Sequence, residues 1–90
     1  MSILDILNSD NWRKDKEADK DTPCLGIAMN EAGLASNHAH NAVATIIKEQ
    51  YPDRANSTGM GTIVHFNDHP DTTWEDIERV VQKFEAKSWW

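Results

Sequence analysis

His65, Asp68, His69 and Asp71 are the residues of this chain whose types and spacing come closest to a chemical site. Imidazole and carboxylate groups together serve both metal ions and general acid–base catalysis. The same segment also has the composition of a turn that enters a helix, because Asp side chains accept local backbone amides and Pro70 fixes the bend. We therefore favour a structural role, and we keep a small metal-dependent or acid–base enzyme centred on His65, Asp68 and His69 as the alternative.

The other histidines and the single cysteine are weaker candidates. His38 and His40 lie two positions apart, which on a helix is a rotation of about 200°, so their imidazoles diverge. Cys24 lies near a predicted helix N-terminus, which would favour its thiolate, but its neighbours Leu25 and Ala28 predict a small core residue. The sequence contains no Gly-rich phosphate loop, nucleophile elbow or paired-cysteine motif. We expect no cofactor, no resident metal and no enzymatic activity.

The last residues, Lys87-Ser88-Trp89-Trp90, place two indoles after the last predicted helix. Continued at about 100° per residue, that helix would turn both indoles away from its apolar stripe. Either the tail folds back onto the core of this molecule or the indoles are exposed, and exposed tryptophans are typical interface anchors. We keep both alternatives and predict that Trp89 and Trp90 bind a partner.

Composition limits the classes of function. Ninety residues, 39% of them hydrophobic, can form one modest core, so we expect a single domain over residues 1–90. The net charge of −6 repels a phosphate backbone and argues against binding of nucleic acid. Acidic and basic residues are interspersed, so a solvated surface explains the charge better than mimicry of nucleic acid.

The cellular setting follows from what the sequence lacks. No apolar run is long enough to span a bilayer, and the first residues lack the basic and apolar regions of a secretory signal. A single cysteine cannot form an internal disulfide. We expect a cytoplasmic protein without a membrane segment.

Apolar spacing predicts an all-α domain, a compact bundle of about four helices. Capping residues and periodicity predict these helices over about residues 2–9, from Thr22 and Pro23 to about Ala32 with Gly33 as a left-handed C-cap, from Ser36 or Asn37 to Tyr51, and from Thr73 onward. Residues 52–61 are predicted to be a polar loop. The β-branched run over residues 62–66 is predicted to be a short extended or single-turn segment, since a lone strand has no partner in a helical chain.

Five residues are predicted to build the turn and the cap before the last helix: Asn67, Asp68, Pro70, Thr73 and Asp76. Thr73 and Asp76 form an approximate capping box, in which the side chain of each residue accepts the backbone amide of the other. Thr72 and Glu75 are the alternative register.

Two short blocks of the chain carry a resemblance to a family. Cys24-Leu25-Gly26-Ile27-Ala28 resembles a Cys-x-x-Gly-Ala helix start, and Phe66-Asn67-Asp68, Pro70, Thr73 and Asp76-Ile77 resemble a Trp-Asn-Asp-x-Pro-x-x-Thr-x-x-Glu-Val segment. Both motifs are those of a family of small proteins from actinobacteria and their phages, a domain of unknown function. The resemblance implies a phage context and no mechanism.

Taken together, these features favour a small non-enzymatic protein-interaction module. The resemblance adds the expectation that it is a phage accessory protein that binds a host protein in the bacterial cytoplasm. We also expect that a chain this small can bury apolar surface in a homodimer.

Overall fold

The computed structural model of this chain describes residues 3–14, 23–56 and 58–86. Within these ranges the chain forms four α-helices, two single 3-10 turns and no strand. The α-helices are α1 (Leu25–Glu31), α2 (Asn37–Gln50), α3 (Gly59–Asp68) and α4 (Trp74–Ala86), and the 3-10 turns are Ile3–Asp5 and Pro52–Arg54. The predicted all-α class with about four helices is confirmed. The predictions for Thr22, Trp89 and Trp90 fall outside the described residues.

α2 is the element around which the others pack. It contacts α3, α4 and the 3-10 turn Pro52–Arg54, while α1 packs on α3. Its N-terminus lies where the sequence predicts it, because the Ser36 hydroxyl accepts the Ala39 amide at 3.2 Å. α2 has 14 residues, and no helix in the described ranges is long and apolar enough to cross a membrane.

The core consists of fully buried aliphatic and aromatic side chains from every helix. Its largest members are Phe66, Phe84, Ile3, Leu7, Leu25, Met29, Ile47, Ile63, Ile77, Val43, Val80 and Val81. Burial of each such side chain contributes about 1.5–3 kcal/mol, so this shared core stabilises the arrangement of all four helices.

The expectation for residues 62–66 is wrong, since this run lies in the middle of α3. Thr58 supplies the missing start signal, because its hydroxyl accepts the Gly61 amide at 2.9 Å. Thr62, Ile63 and Phe66 then share the buried side of the helix. Tertiary burial of these residues outweighs the weak strand preference of β-branched side chains. The predicted loop over residues 52–61 is correspondingly shorter and begins with a 3-10 turn.

The first two predicted helices are also shorter than expected. The N-terminal one is reduced to the turn Ile3–Asp5, and it cannot extend because the Asn8 side chain accepts the amides of Asp10 and Asn11. α1 begins at Leu25 with Cys24 as its N-cap, and Pro23 therefore precedes the helix.

The C-terminus of α1 matches its prediction. Gly33 has φ +83°, and its amide donates to the Asn30 carbonyl at 3.2 Å, while the Leu34 amide donates to the Met29 carbonyl at 2.8 Å. This pair of bonds is a Schellman motif, which needs the left-handed residue that glycine supplies.

α2 and α3 approach each other closely at Gly59. A Cβ atom at this position would overlap the Asn41 side chain and lie 3.3 Å from the Asn41 backbone nitrogen. Gly59 therefore allows a helix crossing that a larger residue would force apart.

Candidate functional site

A groove of about 400 Å³ follows the outward face of α3. Four of its lining residues recur at helical spacing on this face, and three come from the segments before and after the helix. They are Gly61, Val64, His65 and Asp68 on the helix, with Asn56, His69 and Pro70 beside it. The groove thus brings together His65, Asp68 and His69, the three residues of the predicted alternative site.

The hydrogen bonds of the two histidines fix opposite tautomers. The Nδ1 atom of His65 lies 2.9 Å from the Arg54 carbonyl oxygen. A carbonyl only accepts, so the neutral His65 ring carries its proton on Nδ1 and leaves Nε2 as an acceptor. The Nδ1 atom of His69 instead accepts the Asp71 amide at 3.1 Å. The neutral His69 ring therefore carries its proton on Nε2, which is a donor.

The two imidazoles are neighbours. Their ring centroids lie 6.0 Å apart, and the rings are inclined at 72°. Neither Nε2 atom hydrogen-bonds to another group in the described part of the chain. The two neighbouring rings accordingly leave one acceptor, His65 Nε2, and one donor, His69 Nε2–H, unused by the described residues.

The same tautomers bear on the metal alternative. Among residues 3–14, 23–56 and 58–86, no group of three or more His, Cys, Asp or Glu side chains is arranged to hold a metal ion. A metal needs an unprotonated ring nitrogen, and His69 would supply one only by giving up either its Nε2 proton or its bond to Asp71. The geometry supports a hydrogen-bonding or acid–base groove more than a metal centre.

Asn67 occupies a different position from the one predicted. It lies in the last turn of α3, only 2% exposed, and therefore belongs to the helix and the core and not to the turn that follows. Its Oδ1 accepts Trp12 Nε1–H at 2.7 Å and the Leu25 amide at 3.0 Å. Its Nδ2 donates to the Arg13 carbonyl and the Asp68 carboxylate, both at 3.3 Å. One side chain thus joins the N-terminal segment, α1 and α3.

The contact between Asn67 and Leu25 also joins the two blocks that carry the family resemblance. The amide of Leu25 at the start of α1 is satisfied by the asparagine at the end of α3. An unpaired amide at this buried helix end would be costly. This bond explains why α1 begins at Leu25 and not at Pro23.

Lys14 closes the C-terminal end of α3. Its ammonium group donates to the backbone carbonyls of Asn67, His69 and Thr72. A cation at this end of a helix is favourable because the carbonyl dipoles point toward it. Burial lowers the pKa of Lys14 from its usual value, and the attraction of Asp68 offsets only part of this effect.

Asp76 caps α4 and ties it to the 3-10 turn. Its Oδ2 atom accepts the Thr73 amide at 3.2 Å, as the capping-box pattern predicts, and also accepts Arg54 Nη1–H at 2.9 Å. Its Oδ1 atom accepts the Tyr51 hydroxyl at 3.1 Å. Burial alone would raise the pKa of Asp76, but hydrogen bonds from Arg54, Thr73 and Tyr51 outweigh it and lower the pKa.

Tyr51 and Arg54 are members of this network that the sequence did not reveal. Burial and the bond to Asp76 raise the pKa of Tyr51, and Arg79 donates to the Tyr51 hydroxyl at 2.8 Å. Arg54 is separated from Asp76 by 22 positions, so no local pattern could pair them. The helical register of residues 59–68 would have been sufficient to group Val64 with His65 and Asp68 on one face.

The structure also describes the other residues that the sequence singled out. Asp68 is the last residue of α3 and therefore, like Asn67, lies in the helix and not in the predicted turn. Pro70 is exposed and lines the groove, and Thr73 directly precedes α4. Cys24 is 5% exposed, as expected for a small core residue. His38 is exposed and His40 half-buried on α2, away from the groove.

The model of a family of unknown function (DUF6197) matches residues 2–86, which include both resemblance blocks and the whole groove. No curated protein and no solved structure matches the chain. This chain therefore belongs to the family of unknown function DUF6197.

Proposed function

We propose that this chain is a small non-enzymatic protein-interaction module whose contact surface is the outward face of α3. The supporting observation is the position of its exposed apolar side chains. In the described residues, the large hydrophobic side chains that remain exposed are Met60, at 39%, and Val64, at 36%. They lie one turn apart on α3, and Val64 lines the groove. Apolar side chains next to groups that can still form hydrogen bonds are typical of protein interfaces.

The proposed partner is a protein. A net charge of −6 disfavours nucleic acid. The resemblance of the two sequence blocks to phage proteins supports the further proposal of a phage accessory protein that acts on a host protein in the bacterial cytoplasm. Trp89 and Trp90 stay as a predicted second contact, on the ground that indoles are common interface anchors.

Capture of partners from bacterial lysate tests this function. The intact chain is compared with the double variant Met60→Ser/Val64→Ser and with a chain lacking Trp89 and Trp90. Thr45→Ser/Lys48→Ser is the matched control, since both residues are exposed on α2.

We expect Met60→Ser/Val64→Ser to lose a partner that the control variant retains. Equal recovery by all four proteins would contradict it, and loss only on removal of the tryptophans would move the contact surface to the tail. Sedimentation of the purified chain shows whether the partner is a second copy.

A second candidate function is an acid–base enzyme centred on His65, Asp68 and His69. One observation favours it, namely that the three side chains line one groove in which one imidazole is an acceptor and the other a donor. Elemental analysis tests its metal-dependent form. Near-stoichiometric zinc or manganese that is lost in His65→Gln would support that form, and folded protein without metal would exclude it.

A further inference from the structure

We infer that the groove on α3 recognises an amide group, with His65 Nε2 accepting the amide N–H and His69 Nε2–H donating to the amide oxygen. The inference rests on the proposed function, because it takes this groove as a contact surface. It adds the chemistry that the surface recognises.

In their neutral forms the two rings have different roles, which their backbone partners fix. His65 can only donate through Nδ1, since its partner there is the carbonyl of Arg54. The neutral ring of His69 accepts the amide of Asp71 through Nδ1, and the Asp71 carboxylate lies 4.0 Å from the same nitrogen. Each backbone bond therefore determines what the opposite ring nitrogen offers to a ligand.

The backbone near both imidazoles is held in place by hydrogen bonds within the chain. The side chain of Arg54 donates to Asp76 at 2.9 Å and to Thr72 at 3.1 Å, which fixes the residue whose carbonyl orients His65. Lys14 donates to the carbonyl of His69 itself. Because these bonds form within the chain, the donor and the acceptor are oriented before any ligand arrives.

The pairing of one acceptor with one donor discriminates among classes of ligand. Phosphates and carboxylates offer mainly acceptors at neutral pH, and they would meet the carboxylate of Asp68 in the same groove. The ring centroids are 6.0 Å apart. A hydroxyl group carries its donor and acceptor on one oxygen, so it can bridge two Nε2 atoms only up to a separation of about 5.8 Å. An amide is neutral and carries its donor and acceptor on separate atoms, so it can bridge the two rings with hydrogen bonds of about 2.9 Å each.

The walls of the groove fit a short apolar substituent on the amide. Val64 and Pro70 line it with apolar surface, and Gly61 contributes no side chain to fill it. An amide with a branched alkyl group would therefore use both the imidazoles and the walls. Side-chain carboxamides and peptide bonds of a partner both supply this chemistry.

Titration of the intact protein with four small probes, followed through the imidazole resonances of His65 and His69, tests the inference. Isobutyramide represents a side-chain carboxamide, and N-methylisobutyramide represents a peptide bond. Methyl isopropyl ketone has the same shape without the N–H donor, and isobutyrate is the charged analogue. The variant His65→Phe removes the acceptor, and His38→Phe is its control on the exposed side of α2.

We expect at least one amide to bind about two- to tenfold more tightly than the ketone, the factor that one net hydrogen bond provides. Isobutyrate should bind more weakly still. His65→Phe should abolish the preference for the amide, and His38→Phe should retain it. The stronger of the two amides identifies the source that the groove favours.

Equal binding of amide and ketone by the unaltered protein, or no shift of either imidazole with any probe, would overturn the inference. The comparison uses the unaltered chain, so it holds even if a variant fails to fold. If the probes fail while Met60→Ser/Val64→Ser still loses its partner, the amide inference falls and the proposed function stands. If the amides bind as expected but Met60→Ser/Val64→Ser loses no partner, the amide inference stands and the proposed function falls.

Discussion

The two sides of α3 use their polar residues in opposite ways near its C-terminal end. On the inward side, Asn67 satisfies all the hydrogen bonds that its side chain can form, two as acceptor and two as donor. On the outward side, His65 and His69 each form a hydrogen bond through Nδ1 and none through Nε2 to the described residues. The fully bonded Asn67 therefore holds the fold together, whereas the half-bonded His65 and His69 are available for recognition.

The largest effect should come from removing Asn67. Asn67→Leu leaves the Trp12 indole N–H and the Leu25 amide without their acceptor, and we expect a loss of about 2–4 kcal/mol in the free energy of unfolding. Denaturant titration measures it. Asn37→Ala, at an exposed position on α2, should change stability by less than about 0.5 kcal/mol. Equal effects of the two substitutions would contradict the structural role of Asn67.

A smaller effect should follow from a methyl group at Gly59. Gly59→Ala forces the added Cβ into Asn41, and we expect a loss of about 1–3 kcal/mol, the usual cost of overpacking. Gly26→Ala is the matched control, because its Cβ would meet nothing closer than the Met60 sulfur at 3.8 Å. That control should be neutral or gain up to about 1 kcal/mol from helix propensity. Thermal unfolding of both variants decides the comparison, and a stable Gly59→Ala protein would disprove the close crossing of α2 and α3.

Asp76 gives the capping network a dependence on pH. The pKa of this carboxyl is lowered in the folded protein from its ordinary value of 3.8, so the stabilisation is present above that value and is lost as pH falls through the folded pKa. Asp76→Asn should lose about 1–2 kcal/mol at neutral pH. It should also lose less stability than the unaltered chain between about pH 5 and about pH 2. If the stability of Asp76→Asn and that of the unaltered chain fell in parallel as pH decreases, Asp76 would not be a source of this dependence.

The smallest effect on stability should come from a substitution in the groove. His65→Gln removes one exposed contact to the Arg54 carbonyl, and we expect a change within about 0.5 kcal/mol. The same variant should lose the preference for the amide over the ketone. Asn67→Leu should change that preference only to the extent that it unfolds the protein. A loss of more than about 2 kcal/mol in His65→Gln would remove the distinction between the two sides of α3.

Sequence reasoning succeeded where the signal is local. The apolar stripe of α2, the Ser36 cap and the Gly33 C-cap all depend on residues within a turn or two of each other, and the structure places them as predicted. It failed for α3, because a β-branched run has the same local pattern in a strand and in a helix that is buried by its neighbours.

The candidate site could be predicted only in part. The spacing of His65, Asp68 and His69 brought them to notice. The tautomer of His65, however, depends on the carbonyl of Arg54, which is 11 positions away. The role of Asn67 depends on contacts 42 and 55 positions away. Such partners come together only through the packing of the whole core, so no short motif contains them.

Long-range proton–nitrogen correlation of the histidine rings in the neutral state tests the central claim most directly. The account predicts that His65 carries its proton on Nδ1 and His69 on Nε2, so that the groove holds one free acceptor and one free donor. The same tautomer on both rings would contradict the account, because the two imidazoles would then offer like groups and could not bridge one amide.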